Sequence, residues 1–184
     1  MITRISFLGT LAAASVGLTL LGAPPATHAA DPTNGFSKPT IDLGIVARDV
    51  EKSAKFYSET IGLKEIKGFS ATAEFGKKIG LVDSHPINVR VFVTDEVEGA
   101  TRIKLMSFPA ANGKLPDRSH IHSTIGINYL TFFVKDMDQA LARLKKSEVK
   151  LLGETPVSLG GKTQLVVVRD PDGNFLELIG PTKN

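Results

Sequence analysis

The chain has 184 residues, 22 Lys and Arg against 19 Asp and Glu, a formal net charge of +3, and no cysteine. So mild and evenly spread a charge gives no footprint for nucleic acid or an anionic membrane surface. Without cysteine, disulfides, thiolate catalysis and a lipid anchor on a cleavage-site cysteine are excluded, and the fold must rest on its core alone.

Residues 1–30 read as a secretory signal peptide. Arg4 supplies the positive start, Ile5 to Ala23 is uncharged and mostly apolar, and "THAA" offers small residues for cleavage after Ala29 or Ala30. The competing reading is an uncleaved membrane anchor, for which the apolar run is just long enough. Gly, Ser and Thr dilute that run, however, and the helix-breaking "APPATHAADPTNG" comes directly after it. The expectation is an exported protein, periplasmic or extracellular, with no membrane attachment once the leader is removed. Residues 31–40, "DPTNGFSKPT", read as a tether with little structure of its own. The remaining chain is long enough for one ordinary domain core over residues 41–180.

That domain repeats itself. "TIDLGIVARDVEKSAKFY" from Thr40 and "INYLTFFVKDMDQALARL" from Ile127 align when Asp49 is set on Asp136. Each is an apolar strand, a basic residue, an Asp suited to cap a helix, and an amphipathic helix. Val50, Ala54, Tyr57 and Ile61 make one buried helix face; Met137, Ala140, Leu141 and Leu144 make the other. Gln139 completes a capping box with Asp136, and Gly62 is a helix-ending glycine. Strands are expected near Leu63–Phe69, Ile87–Thr94 and Arg102–Phe108 in the first half. In the second half they are expected near Val149–Gly153, Gln164–Arg169 and Phe175–Ile179. Residues 70–86 show no period. "PAANGKLPDRSHIHSTI", residues 109–125, is the linker between module one (41–108) and module two (126–180).

The strand leading into "RDVEKSAKFYSETIGL" and the closing "RDPDGNFLELIG" resemble the vicinal oxygen chelate superfamily, which groups glyoxalases, bleomycin-resistance proteins and dioxygenases. The resemblance covers about Ile41 to Ile179. It implies an α+β fold: tandem βαβββ modules forming a cupped, partly closed mixed sheet, helices outside, around a small-molecule pocket. It also makes a homodimer an expectation, since dimers are common in the family.

Many such proteins hold a divalent metal through four inward side chains, one on the first and one on the last strand of each module. By register the resemblance places these at Asp42, Lys104, Tyr129 and Glu177. Asp and Glu ligate hard cations, and a Tyr does so only at the cost of its proton. Lys104 offers donors and no acceptor, and its charge repels a cation. The expectation is therefore no metal and no other cofactor. Lys104 and Glu177 would instead neutralise each other across the cup, with Asp42 and Tyr129 beside them. Strand alternation adds Arg102 and Met106 to the face of Lys104, and Thr131 and Phe133 to that of Tyr129. Arg90 and Phe92 would also face inward if that half of their strand does.

"HIH", His120 and His122 with Asp117 nearby, has metal-like spacing but sits in a linker, where a solvated loop is the default. "SLGGKT" lacks the first glycine of a phosphate-binding loop and reads as a turn. The leading functional expectation is an exported, glyoxalase-like protein that binds a small molecule in its cup without a standard metal site. The alternative is a metal-dependent lyase, isomerase or dioxygenase with an altered ligand set.

Overall fold

The structure, a computed structural model, describes residues 35–111 and 113–183; the expected leader and the first residues of the tether lie outside the described residues. Phe36–Asn184 form one compact unit.

Module one runs β1 (Leu43–Val46), α1 (Val50–Lys55), β2 (Lys64–Ala71), α2 (Ala73–Lys78), β3 (Ile87–Val93) and β4 (Arg102–Met106). Module two runs β5 (Tyr129–Phe133), α3 (Met137–Lys146), β6 (Val157–Gly160), β7 (Thr163–Arg169) and β8 (Phe175–Pro181). The sheets have the same plan, β1-β4-β3-β2 and β5-β8-β7-β6, with the first and last strands parallel and the other pairs antiparallel. The repeat register holds residue by residue: Gly44 pairs with Lys104 as Thr131 pairs with Glu177.

The expected caps form. Asp49 accepts from the Lys52 N–H at 3.0 Å, and Asp136 accepts from the Gln139 N–H at 3.0 Å while the Gln139 amide returns to it at 2.7 Å. Past Lys55, α1 widens into a π-helical stretch, Phe56–Ile61, which buries Phe56, Tyr57, Thr60 and Ile61. Gly62 ends it at φ 95°.

One face of each sheet meets these helices. Ile103, Leu105 and Phe92 pack with Tyr57 and Ile61, and they merge with Phe132, Val166, Val168, Leu176, Leu178 and Leu144 into one core. The modules are also cross-braced. Arg143 donates to the carbonyls of Thr60 (3.2 Å) and Ile61 (3.0 Å), and Thr60 donates to Ser147 at 2.8 Å. The Tyr57 hydroxyl donates to Asp170 at 3.0 Å.

Several expectations are corrected. Val149–Gly153 is not a strand: Val149 and Leu151 pack on the core, and the segment makes one ladder-like bond, Leu152 N–H to the Val167 carbonyl. The strand lies later, at Val157–Gly160, so "SLGGKT" is a strand end and a turn. The silent region 70–86 holds α2, capped by Thr72. Not every helix is outside. Gly76 of α2 lies against Ile87, and Val82 just after it packs with Ile87, Val89 and Val91 on the face opposite α1. The end of the tether is docked, through Thr40 donating to the Gly99 carbonyl and Lys38 pairing with Asp42.

Candidate functional site

Opposite the helices, alternation along the strands gives module two an open face. Tyr129, Thr131 and Phe133 of β5, Phe175, Glu177 and Ile179 of β8, and Leu165 and Val167 of β7 share it. Phe133 is 81% exposed and Tyr129 51%. In module one the corresponding face carries Asp42, Val46, Arg102, Lys104 and Met106, and α2 covers its β3 end. An exposed apolar surface of this kind marks a place for a ligand or a partner.

The register residues split into two local pairs. Glu177 accepts from the Thr131 hydroxyl at 2.7 Å, directly across the parallel ladder. In module one Gly44 stands where Thr131 would be, so Lys104 has no side chain opposite it. Its ammonium instead reaches Asp42, at 3.0 Å. Lys38 holds the other oxygen of Asp42 at 2.8 Å. The Lys38 hydrogen bond, with a second contribution from Lys104, holds the Asp42 carboxyl at about 2, below its ordinary value. The expected Lys104–Glu177 pair is not formed.

This donor set does not fit a divalent cation. Asp42 is engaged by two ammonium groups, Lys104 is a cation, and Glu177 and Tyr129 alone do not complete a coordination shell. Among the described residues no group of three or more His, Cys, Asp or Glu stands ready to hold a metal. His120 and His122 stack at 5.3 Å in the linker, with no third ligand among the described residues.

Sequence reasoning missed the seam between the modules. The edge strands β1 and β5 flank a cleft of about 210 Å³ lined by Leu43–Val46 and Ile127–Leu130, with Arg118, Asn174 and Phe175 at its ends. Arg118 comes from the linker, where no periodicity announced it. Its stem packs where a Cβ on Gly173 would come within 3.7 Å, and Gly173 itself has φ 86°. Its guanidinium has five N–H donors and one bond, Nη1 to Asn128 at 3.3 Å; Nε is buried with no acceptor among the described residues. Arg90 does not face inward: it is clamped on the helix side by Glu51 and Glu65, at 2.7 Å each. Arg102 is exposed on the module-one face.

The buried carboxylate of "DPDGNFLELIG" is Asp170. Glu177 is half-buried, whereas Asp170 is 5% exposed. Asp170 accepts from the N–H groups of Asp172 and Asn174, the Asn174 amide and the Tyr57 hydroxyl, so both its oxygens are satisfied. Its role is structural. The signal was present in the sequence, since an Asx-turn before Gly draws the side chain onto its own backbone.

Residues 40–178 match the family model for the Glyoxalase/Bleomycin resistance protein/Dioxygenase superfamily. Among solved structures, a glyoxalase family protein from Bacillus cereus is similar at 24% identity and TM-score 0.67, covering 83% of this chain and 99% of its own. A glyoxalase/dioxygenase from Nostoc punctiforme aligns at 18% identity and TM-score 0.55, over 86% of this chain and 99% of its own. A glyoxylase/bleomycin resistance protein/dioxygenase domain from Frankia sp. EAN1pec aligns at 20% identity and TM-score 0.52, over 82% of this chain and 93% of its own. No curated protein sequence matches the chain. With the matched region spanning both modules, the chain belongs to the glyoxalase/bleomycin resistance/dioxygenase superfamily.

Proposed function

We propose that this protein is an exported binder of a small molecule with an apolar or aromatic body and an acidic group, held at the seam and on the open face of module two without a divalent metal. The observation that carries the reading is the Arg118 guanidinium, partly buried in a mostly apolar cleft with one bond of 3.3 Å among the described residues and its Nε unmatched there. Buried donors are ordinarily matched, and a guanidinium pairs with planar anions through two parallel bonds. Tyr129, in the lining of the same cleft, and Phe133, further along β5, supply aromatic surface with few rotatable bonds to order. Glu177 accepts a hydrogen bond from Thr131, and Asp42 is paired with Lys38 and Lys104.

The export half of the proposal is supported by the sequence of residues 1–30, and intact-mass analysis of secreted protein tests it: a chain starting at Ala30 or Asp31 is expected, and retention of Met1 would refute it. The binding half is tested with the fluorescent aromatic sulfonate 8-anilinonaphthalene-1-sulfonate. One saturable site is expected, with affinity lowered about tenfold or more by Arg118→Gln, the scale of one charged hydrogen bond. Unchanged affinity in that variant would refute the assignment. Elemental analysis of protein prepared without a tag or chelator is expected to give well below one metal per chain. One equivalent, lost in Glu177→Gln, would favour a metal-dependent lyase, isomerase or dioxygenase instead.

A further inference from the structure

A second cleft, of about 860 Å³, lies away from the seam. It lies on the helix side, between the π-helical end of α1 and the chain leaving α3, so both modules build it. Its lining includes Lys52, Lys55, Lys146 and Lys150, with Phe56, Val149 and Leu152 among the apolar residues beneath them. None of the four lysines has an ion-pair partner among the described residues, although Lys38, Lys64, Lys104 and Lys183 all do. Asp170 and Glu59 share the lining, but neither forms an ion pair among the described residues, and two carboxylates leave part of the lysine charge unbalanced. Arg169 also lines the cleft, but its guanidinium is turned to the Phe175 ring and the Ser119 carbonyl.

We propose that this cleft is a second ligand site, for a small, multiply phosphorylated molecule with an apolar or aromatic part. Four ammonium groups around one cavity exceed what its two carboxylates, Glu59 and Asp170, can balance. Lysine ammonium groups meet phosphate oxygens as rotatable point charges. The end of α3 would ordinarily repel an anion. Here its last carbonyls are already engaged: Arg143, Leu144 and Lys145 accept from Ser147, Val149 and Glu148 at 2.9–3.1 Å. The apolar residues below give the body of the ligand a surface, so an ester with a ring binds more tightly than bare phosphate.

ATP and inorganic tripolyphosphate, titrated calorimetrically into the full protein, test this. The expected result is one-to-one saturable binding, tighter for ATP and weakened by added salt. Replacing Lys52, Lys55, Lys146 and Lys150 together by Gln is expected to weaken it at least tenfold, and Arg118→Gln to leave it unchanged. All four side chains are exposed, so the fold should survive; if the combined variant does not fold, Lys55→Gln and Lys150→Gln singly are each expected to weaken binding about threefold. Absence of saturable binding, lysine variants that bind like the parent, or loss in Arg118→Gln would overturn the proposal.

Discussion

At the scale of single residues, one missing side chain decides how the polar groups of the open face pair. Thr131 satisfies Glu177 across the ladder; Gly44, its counterpart, cannot serve Lys104, and Lys104 turns to Asp42. In a double-mutant cycle, Lys104→Met and Asp42→Asn should therefore couple by about 0.5–1 kcal/mol in urea unfolding, while Lys104→Met and Glu177→Gln should add within about 0.5 kcal/mol. The reverse ranking would contradict the pairing. The same pairing sets a pH dependence. The folded Asp42 carboxyl is lowered to about 2 from an unfolded value near 3.9, so its contribution is complete above the unfolded value and is lost as pH falls through the folded one. Carbon-detected NMR of Asp42 should give a midpoint near 2 in the parent, moving up toward the ordinary value in Lys38→Met; an unmoved midpoint would remove Lys38 as the main cause.

At the scale of elements, the two repeated helices and their caps were legible. Asp49, Asp136, Gln139 and Gly62 do what their types suggest, and the helix faces set by Ala54, Tyr57, Ile61, Met137, Ala140 and Leu144 are buried. What failed had no burial pattern to read. β6 is an edge strand with every residue exposed, so nothing required its apolar and polar residues to alternate. Val149 and Leu151 looked like a strand because they are apolar, but they reach the core from an irregular segment. α2 is only six residues long, too short to show a helical period. The candidate site divided along the same line: Glu177 and Tyr129 came with the family resemblance and Phe133 from strand alternation, whereas Arg118 arrives from a linker and could be placed only by the fold. Gly62 offers a test at this scale. Its φ of 95° is costly for a side chain, and a Cβ would meet the Arg143 guanidinium at about 3.2 Å. Gly62→Ala should destabilise by more than about 1 kcal/mol in thermal or urea unfolding; a neutral or stabilising effect would contradict that conformation.

At the scale of the whole molecule, two modules with separate sheets share one core and several polar braces. Chief among the braces is Tyr57 to Asp170, which ties the first helix to the turn before the last strand. Burial, reinforced by the neighbouring carboxylates, pushes the Tyr57 phenol above its usual range, so it should not ionise before the protein unfolds in alkali. Tyr57→Phe should cost about 1.5–3 kcal/mol, the range for a hydrogen bond to a charged group, and still leave a single cooperative transition because the shared core remains. Two separated transitions in the parent protein would contradict a common core.

The same architecture puts two clefts on opposite sides of the sheets, the seam between β1 and β5 and the lysine-lined cleft by α1 and α3. A crystal structure of the protein with 8-anilinonaphthalene-1-sulfonate tests the central claim most directly. The account predicts the sulfonate against Arg118 with the rings on Tyr129, and no metal between Asp42, Lys104, Tyr129 and Glu177. Density only in the lysine cleft, or a metal ion among those four residues, would contradict it.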